Sequence, residues 1–193
     1  MQIKNTQNKN EYKLETQKIH NIHFKEFFDL IENNRNRIIK TFPVTISNCI
    51  DLNRTKEFIS KNIQIEIEKT GYYFYVRNIE TNSLIGYIGV KKIDYHISKC
   101  EIFYFIDKDF EGKGIISKAV SQIIEFCFDH LNMNKIFICT SKINFASQQI
   151  ALKNRFVLEG TLREEFKNFE GILEDINYYG LLKSDYEKLT KSR

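Results

Sequence analysis

A glycine-containing turn stands out among the residues whose types and spacing could support chemistry. In the stretch DFEGKGIISKAV, residues 109–120, Gly112 and Gly114 flank Lys113, although the chain has only 8 glycines among its 193 residues. The turn follows a strand-like run, IFYFID, and precedes a helix-like run. Glycine permits backbone conformations that other residues resist, and the first turn of a helix attracts anions. The stretch therefore predicts a phosphate-binding turn, with an ordinary tight turn at a helix start as the alternative.

Three phosphate-binding designs can be compared with this turn. The nucleoside-triphosphate loop needs a glycine five positions before a Gly-Lys pair, but Asp107 stands five positions before Gly112. The dinucleotide fingerprint fits Gly112, Gly114 and Ser117 with one substitution, yet it belongs to alternating parallel units. In the third design, consecutive backbone N–H groups at a helix start wrap a pyrophosphate. This third design agrees best with the strand-like runs that precede the turn.

The elements that must position the turn follow from hydrophobic periodicity. Phe24, Phe27, Phe28 and Ile31 have helical spacing, and a second helix is predicted after Asp51. Aromatic and β-branched runs joined by short turns predict antiparallel strands: GYYFYVRN, SLIGYIGVKKID and KCEIFYFID. After the turn, the patterns predict a helix, a strand, a helix and two final strands, with a short helical tail. The sequence predicts an α/β fold with a central, mostly antiparallel mixed sheet flanked by helices.

Composition limits the class of protein. Apolar residues make up 42% and charged residues 28% of the chain, which is typical of a globular domain. Residues 1–10 are polar and expected to be flexible, and residues 11–193 are expected to form a single domain. A net charge of +4 spread along the chain is too small to indicate nucleic acid, and no run of the sequence has the length of a membrane span. No two of the four cysteines are close enough in sequence to form a metal-binding or redox pair, and the N-terminus is polar. Both features favour a cytoplasmic protein.

The turn resembles the acyl-CoA pyrophosphate loop of the GNAT acetyltransferases, Gln/Arg-x-x-Gly-x-Gly/Ala, over residues 111–116. Glu111 and Ile116 depart from the commonest residues of that pattern. NFASQQIALKNRFVLEG resembles a helix and strand start of the same family, and the ending EGILEDINYYGLLKSDYEKL resembles that of its ribosomal-protein N-terminal (RimJ/RimL-type) branch. The resemblance extends over about residues 12–189. It implies the GNAT fold, acetyl-CoA as the cofactor and a primary amine as the acceptor. Arg155 stands where the family usually has glycine.

The resemblance also implies roles for residues of this chain. The backbone of the turn would hold the pyrophosphate, and the end of the preceding strand would line the pantetheine arm. The expected cofactor-binding residues are therefore Phe105, Ile106, Asp107, Glu111, Gly112, Lys113, Gly114, Ile115, Ile116, Ser117, Asn144 and Ser147.

Two residues are expected to be catalytic. Many GNAT enzymes carry a tyrosine four residues beyond Ser147, where this chain has Ala151. By resemblance to the ribosomal-protein branch, Ser147 is expected to donate a hydrogen bond to the leaving thiolate, and Asn144 to bind the arm; a helix cap and a surface serine are the alternatives. An amine is protonated near neutral pH and needs a base. Glu101 is expected to be that base, with an exposed carboxylate on an edge strand as the alternative.

The remaining residues narrow the reaction further. Cys139 lies on a predicted buried strand, so we expect direct transfer without a covalent enzyme intermediate. The four histidines lack a third ligand at suitable spacing, and no metal is expected. Tyr178 and Tyr179 belong either to the acceptor pocket or to the core.

The acceptor expected from the resemblance is the N-terminus of a protein, with a polyamine or an aminoglycoside as alternatives. A non-catalytic acyl-CoA-binding protein is the alternative from another class, while a nucleic-acid binder would rest only on the net charge. The chain is expected to be a monomer or a homodimer.

Overall fold

The computed structural model describes residues 12–16 and 23–191, which form one seven-stranded sheet with helices on both faces. The spatial order of the strands is β1-β2-β3-β4-β5-β7-β6. Their bounds are Tyr12–Thr16 (β1), Tyr72–Asn78 (β2), Leu84–Asp94 (β3), Lys99–Ile106 (β4), Lys135–Ser141 (β5), Val157–Lys167 (β6) and Leu173–Leu182 (β7). Every neighbouring pair is antiparallel except β4 and β5, which are parallel.

Within the described residues, six α-helices connect or cover these strands. Their bounds are Phe24–Ile38 (α1), Pro43–Asn48 (α2), Leu52–Ile67 (α3), Ile115–Glu125 (α4), Phe145–Lys153 (α5) and Lys183–Lys191 (α6). The Asp51 side chain caps α3 by accepting a hydrogen bond from the backbone N–H of Arg54. Pro43 occupies the first turn of α2, where a missing N–H costs nothing. Helix α4 continues into one π-helical turn, Phe126–His130.

Apolar side chains form one core on each face of the sheet. Helices α1, α2 and α3 cover β2, β3 and β4 through residues such as Phe27, Tyr75 and Tyr87. On the opposite face, α4 packs Ala119, Val120 and Ile123 against the even-numbered residues of β4 and β5. Because successive strand residues point to opposite faces, the even-numbered side chains of β4 face α4 and the odd-numbered ones face α1–α3.

The β4–β5 pairing is short, and this shapes the centre of the molecule. Over the described residues, the two strands pair only from Lys99↔Lys135 to Glu101↔Phe137. Beyond Glu101, β4 remains paired with β3, and beyond Phe137, β5 remains paired with β7. The sheet therefore opens into a gap between residues 102–106 and 138–141, which we call the β4–β5 gap.

The predicted fold class and the order of the main elements are confirmed. Strand β1 and the six-residue helix α2 were not predicted, because both are too short to show a clear period. The expected flexible residues 1–10 lie outside the described part of the chain, as does His20. None of the helices within residues 12–16 and 23–191 is long and apolar enough to cross a membrane. Those same residues contain no group of three or more His, Cys, Asp or Glu side chains suited to a metal ion.

Candidate active site

The glycine turn has the geometry of an anion site. Gly112 and Gly114 have φ angles of 71° and 75°, a region that other residues rarely adopt, and Gly114 is the N-cap of α4. A Cβ atom built on either glycine would meet no described atom within 4 Å, so the backbone angle and not space requires glycine here. The first N–H groups of α4 have no acceptor within the helix. The positive end of the α4 dipole therefore lies behind an open turn.

A buried polar network attaches the turn to helix α1. Asn34 is 1% exposed and donates from Nδ2 to Asp107 Oδ2 at 2.8 Å, while its Oδ1 accepts from the backbone N–H of Lys108 at 3.0 Å. Asp107 Oδ1 also accepts from the backbone N–H of Asp109 at 2.9 Å. The carboxylate of Asp107 therefore points toward α1 and organises the chain that enters the turn.

Arg37 adds a charged connection to the same place. Its guanidinium forms an ion pair with Glu111, donates to the backbone oxygen of Ile106, and lies 3.0 Å from Asn34 Oδ1. Glu111 is thus not an isolated carboxylate but one partner of a link between α1 and the turn.

The other residues expected to bind the cofactor fall into two groups. Four of them pack their side chains into the cores, so only their backbone atoms can face a ligand: Phe105, Ile106, Ile115 and Ile116. Lys113 places its ammonium 4.8 Å from the Phe110 ring centroid, and Ser117 Oγ accepts from Asn154 Nδ2 at 3.1 Å.

Ser147 lies on α5, on the α4 side of the sheet. Its hydroxyl is 3.0 Å from the hydroxyl of Tyr104, which can donate its one proton either to Ser147 Oγ or to the Ser147 backbone oxygen 3.2 Å away. Burial raises the pKa of Tyr104 well above its usual value, so this hydroxyl keeps its proton. Asn144 Oδ1 accepts from the backbone N–H of Ser147 at 3.2 Å and acts as the N-cap of α5. Ser147 is therefore half-buried and held in place, while Asn144 does serve as a cap.

Thr140 contributes an unusual polar atom beside the β4–β5 gap. Thr140 is 5% exposed, and its Oγ1 has no hydrogen-bond partner among the described residues. Residues 136, 138 and 140 of β5 share the face on which Tyr104 and Ser147 lie. A buried hydroxyl without a partner is costly, and an amide-containing ligand in the gap would satisfy it. The gap and the turn together fit an acyl-CoA.

Glu101 is the last residue of β4 that pairs with β5, and the β4–β5 gap begins after it. It is 4% exposed on an interior strand, so the alternative of an exposed edge-strand carboxylate is wrong. Lys91 Nζ lies 3.1 Å from Oε1, and Lys92 Nζ lies 2.9 Å from Oε2. Neighbouring strand residues normally face opposite ways, but a bulge in β3 with a positive φ at Lys92 brings both lysines to one carboxylate.

The charges around Glu101 affect its neighbours. Burial lowers the pKa of Lys92, but the hydrogen bond and negative charge of Glu101 raise it, and the net shift is upward. Burial, followed by the charge of Glu101, raises the pKa of Cys139 to about 11, which agrees with the expectation that this thiol is not a nucleophile. Tyr178 stacks on Phe137 beside this group, whereas Tyr179 is 3% exposed in the core.

A cavity of about 400 Å³ lies between the residues after α1 and the β6–β7 hairpin. Its lining includes Ser141 at the end of β5 together with three carboxylates. Each carboxylate has a partner: Glu170 binds Lys40 at 3.1 Å, Asp175 binds Lys142 at 2.9 Å, and Glu174 accepts from Asn168 at 2.7 Å.

Sequence analysis missed four residues of this region: Asn34, Arg37, Tyr104 and Thr140. Polar residues at helical spacing on α1 gave only a weak signal for Asn34 and Arg37, because that spacing is equally typical of a solvent-exposed helix face. Tyr104 and Thr140 alternate with apolar residues in their strands, a pattern equally typical of core positions.

Comparison with known proteins agrees with this geometry. Residues 17–157 match the Acetyltransferase (GNAT) domain family. YdaF of Bacillus subtilis, whose name assigns it provisionally to the ribosomal N-acetyltransferases, is 37% identical over 54% of this chain and 57% of its own length. The ribosomal-protein-serine acetyltransferase of Escherichia coli is 29% identical over 81% of this chain and 86% of its own. Spermidine N(1)-acetyltransferase of Vibrio cholerae is 27% identical over 83% and 88%.

Solved structures show the same fold. The ribosomal-protein-S5-alanine acetyltransferase of Vibrio fischeri superposes with a TM-score of 0.81 at 19% identity, covering 92% of this chain and 96% of that one. RimL, a ribosomal L7/L12 alpha-N-protein acetyltransferase in complex with coenzyme A, gives 0.80 at 19% identity over 91% and 96%. Because the family model matches most of its length and its sheet superposes on those of solved members, this chain belongs to the GNAT acetyltransferases, enzymes that take an acetyl group from acetyl-CoA.

Proposed function

We propose that the enzyme transfers the acetyl group of acetyl-CoA directly to the N-terminal α-amine of a protein. The observation that carries the proposal is the arrangement at the β4–β5 gap. Glu101 faces the α1–α3 side of the sheet, whereas Ser147 and Tyr104 lie on the α4 side. An acceptor and a thioester can therefore approach from opposite faces and meet in the gap.

The turn and the gap supply the cofactor site in this proposal. The backbone N–H groups from Gly112 to Ser117 hold the pyrophosphate at the positive end of α4. The unpaired edges of β4 and β5, together with the Thr140 hydroxyl, offer hydrogen bonds to the amides of the pantetheine arm. Acetyl-CoA supplies an activated acyl group, and the protein has only to orient it and manage the protons.

Glu101 is the proposed base. Lys92 Nζ lies 2.9 Å from its Oε2, and no other described residue donates a hydrogen bond to that oxygen. A lone pair is thus free to accept the proton of an ammonium group, directly or through one water molecule. Loss of that proton gives the amine the lone pair with which it attacks the acyl carbon.

Ser147 is the proposed hydrogen-bond donor to the departing sulfur. When Tyr104 donates its proton to Ser147 Oγ, the serine hydroxyl is free to donate its own proton toward the β4–β5 gap. In this proposal the pair takes the role of the tyrosine that many family members carry four residues beyond Ser147, where this chain has Ala151. Stabilising a developing thiolate in this way is a typical electrostatic contribution to catalysis.

The cavity favours a peptide over a polycation as acceptor. A polyamine needs several free carboxylates, but Glu170, Glu174 and Asp175 already bind Lys40, Asn168 and Lys142. The cavity also has the apolar side chains of Ile143 and Ile172, which suit the first residues of a protein chain. The names of the YdaF and ribosomal-protein-serine relatives support the same acceptor, whereas the spermidine relative keeps the polyamine as the second candidate.

The test is thiol release from acetyl-CoA with a panel of acceptors. Peptides with free N-termini, their N-formyl counterparts, spermidine and an aminoglycoside are compared at equal concentration. We expect release only with free N-terminal peptides, and mass spectrometry should place the acetyl group on the α-amine. Release with spermidine alone would overturn the proposed acceptor, and acetyl-CoA binding without release on any amine would favour a non-catalytic binding protein.

A further inference from the structure

Arg37 forms an ion pair with Glu111, a residue of the turn that departs from the family pattern. Where the pattern has glutamine or arginine, this chain has a carboxylate at the edge of a turn suited to a pyrophosphate. A carboxylate there repels a ligand that carries negative charge. The departure should weaken cofactor binding unless another group cancels it.

Arg37 is held where its positive charge can cancel the negative charge of Glu111. Its side chain is 35% exposed, and its guanidinium contacts the carboxylate of Glu111, the backbone oxygen of Ile106 and the side-chain oxygen of Asn34. Three acceptors on three segments hold a planar guanidinium far better than a single surface ion pair does. The positive charge therefore stays next to the turn whether or not a ligand is present.

We propose that Arg37, a residue of α1, sets the affinity for coenzyme A by cancelling the charge of Glu111. The turn then presents its backbone N–H groups and Lys113 to the pyrophosphate without a net opposing charge. Because α1 also leads to Lys40 at the cavity, the helix that walls the acceptor side contributes to cofactor binding as well. This inference rests on the proposed cofactor site at residues 112–117.

A double-mutant cycle read by calorimetric titration of coenzyme A tests the proposal. We expect Arg37→Ala to weaken binding on the order of tenfold at low salt, because the Glu111 charge becomes unopposed. Glu111→Gln alone should tighten binding by about threefold, since an extra positive charge then faces the ligand. The two effects oppose each other, so the double variant should bind about threefold more tightly than Arg37→Ala and about threefold more weakly than the parent, which is the sign of cancellation.

Each other result of the cycle overturns the proposal. If Glu111→Gln fails to rescue Arg37→Ala, Arg37 acts by direct contact or by structure, and not by cancellation. If Arg37→Ala leaves the affinity unchanged, the residue has no role in binding. Should Arg37→Ala fold poorly, Glu111→Gln keeps every contact to Ile106 and Asn34, and unchanged or weaker binding by that variant alone overturns the idea.

Two controls separate this inference from the cofactor site on which it rests. Arg54→Ala removes an equal charge from a pair with Glu57 on α3 and should leave coenzyme A binding unchanged. Gly114→Val should abolish binding while circular dichroism shows a folded protein, because valine resists a φ of 75°. If Gly114→Val binds normally, the proposed cofactor site is wrong; if it does not bind but Glu111→Gln fails to rescue Arg37→Ala, only the role of Arg37 is wrong.

Discussion

Replacing Glu101 with glutamine should separate its proposed chemistry from its structural contacts. Glutamine keeps the shape of the side chain but cannot accept a proton from an ammonium group. A positioned general base typically contributes about 10²–10⁴-fold, so we expect kcat to fall by that factor. This loss corresponds to about 3–5 kcal/mol of activation free energy.

In the same Glu101→Gln variant, the free energy of unfolding should change much less than the activation free energy. Glu101 has a side chain 5% exposed, but the side chains of its partners Lys91 and Lys92 are 44% and 60% exposed. Removing the carboxylate therefore leaves two solvated lysines and no buried unpaired charge. Breaking a fully buried pair typically costs 3–5 kcal/mol, whereas we expect about 1 kcal/mol or less here.

The assay combines thiol release at saturating acetyl-CoA and acceptor with urea unfolding of the same sample. Glu57→Gln on α3, whose carboxylate pairs with Arg54, is the control for a general effect of removing one negative charge. A kcat within about threefold of the parent, with unfolding unchanged, would refute the assignment of Glu101 as the base. A large loss of stability in parallel with activity would instead mean that Glu101 is mainly structural.

Three further predictions concern Tyr104, Asn34 and Glu66, a partly buried residue of α3. Tyr104→Phe should lower kcat about tenfold and leave KM for acetyl-CoA nearly unchanged, because the Ser147 hydroxyl loses the hydrogen bond that orients it. A change in KM alone, in steady-state kinetics, would count against this role of Tyr104. Burial raises the pKa of Glu66 from 4.5 to about 7, so the folded state binds the proton more tightly and stability falls as pH rises from about 4.5 to 7. Glu66→Gln should remove this slope and, since solvent screens part of the shift, raise the free energy of unfolding at pH 8 by about 1–2 kcal/mol; equal urea midpoints at pH 5 and pH 8 in the parent would contradict the expectation. Asn34→Ala leaves the carboxylate of Asp107 without a side-chain partner and should cost about 2–3 kcal/mol of stability, and an unchanged melting temperature would show that water replaces the amide.

The parts of the molecule that could be predicted from sequence are those encoded by nearby residues. The strands, the α4 helix and the glycine turn depend on periodicity and on two glycines separated by one residue, which are local signals. The contacts that complete the site are not local: Tyr104 meets Ser147 from 43 residues away, and Arg37 meets Glu111 from 74. No pattern within either segment specifies its partner.

The burial of Glu101 also could not be predicted from its own segment of the sequence. Its alternation with apolar neighbours was visible, but that pattern occurs in edge strands and interior strands alike. Only the order of the strands places β5 beside β4 and buries the carboxylate. Likewise, the bulge at Lys92 that brings two lysines to Glu101 requires a positive φ at a residue that is not glycine, which the sequence does not signal.

The short β4–β5 pairing should make the protein less stable when acetyl-CoA is not bound. Three residue pairs join β1–β4 to β5–β7, and past them two strand edges face each other without a ladder over the described residues. Amide hydrogens of residues 102–106 and 138–141 that point into this seam should exchange faster than those at the centre of either half. A bound acyl-CoA would bridge the halves and raise the free energy of unfolding by about 2.7 kcal/mol at a hundredfold excess over Kd. The concentration of acetyl-CoA would then affect both the turnover of the enzyme and its resistance to proteolysis.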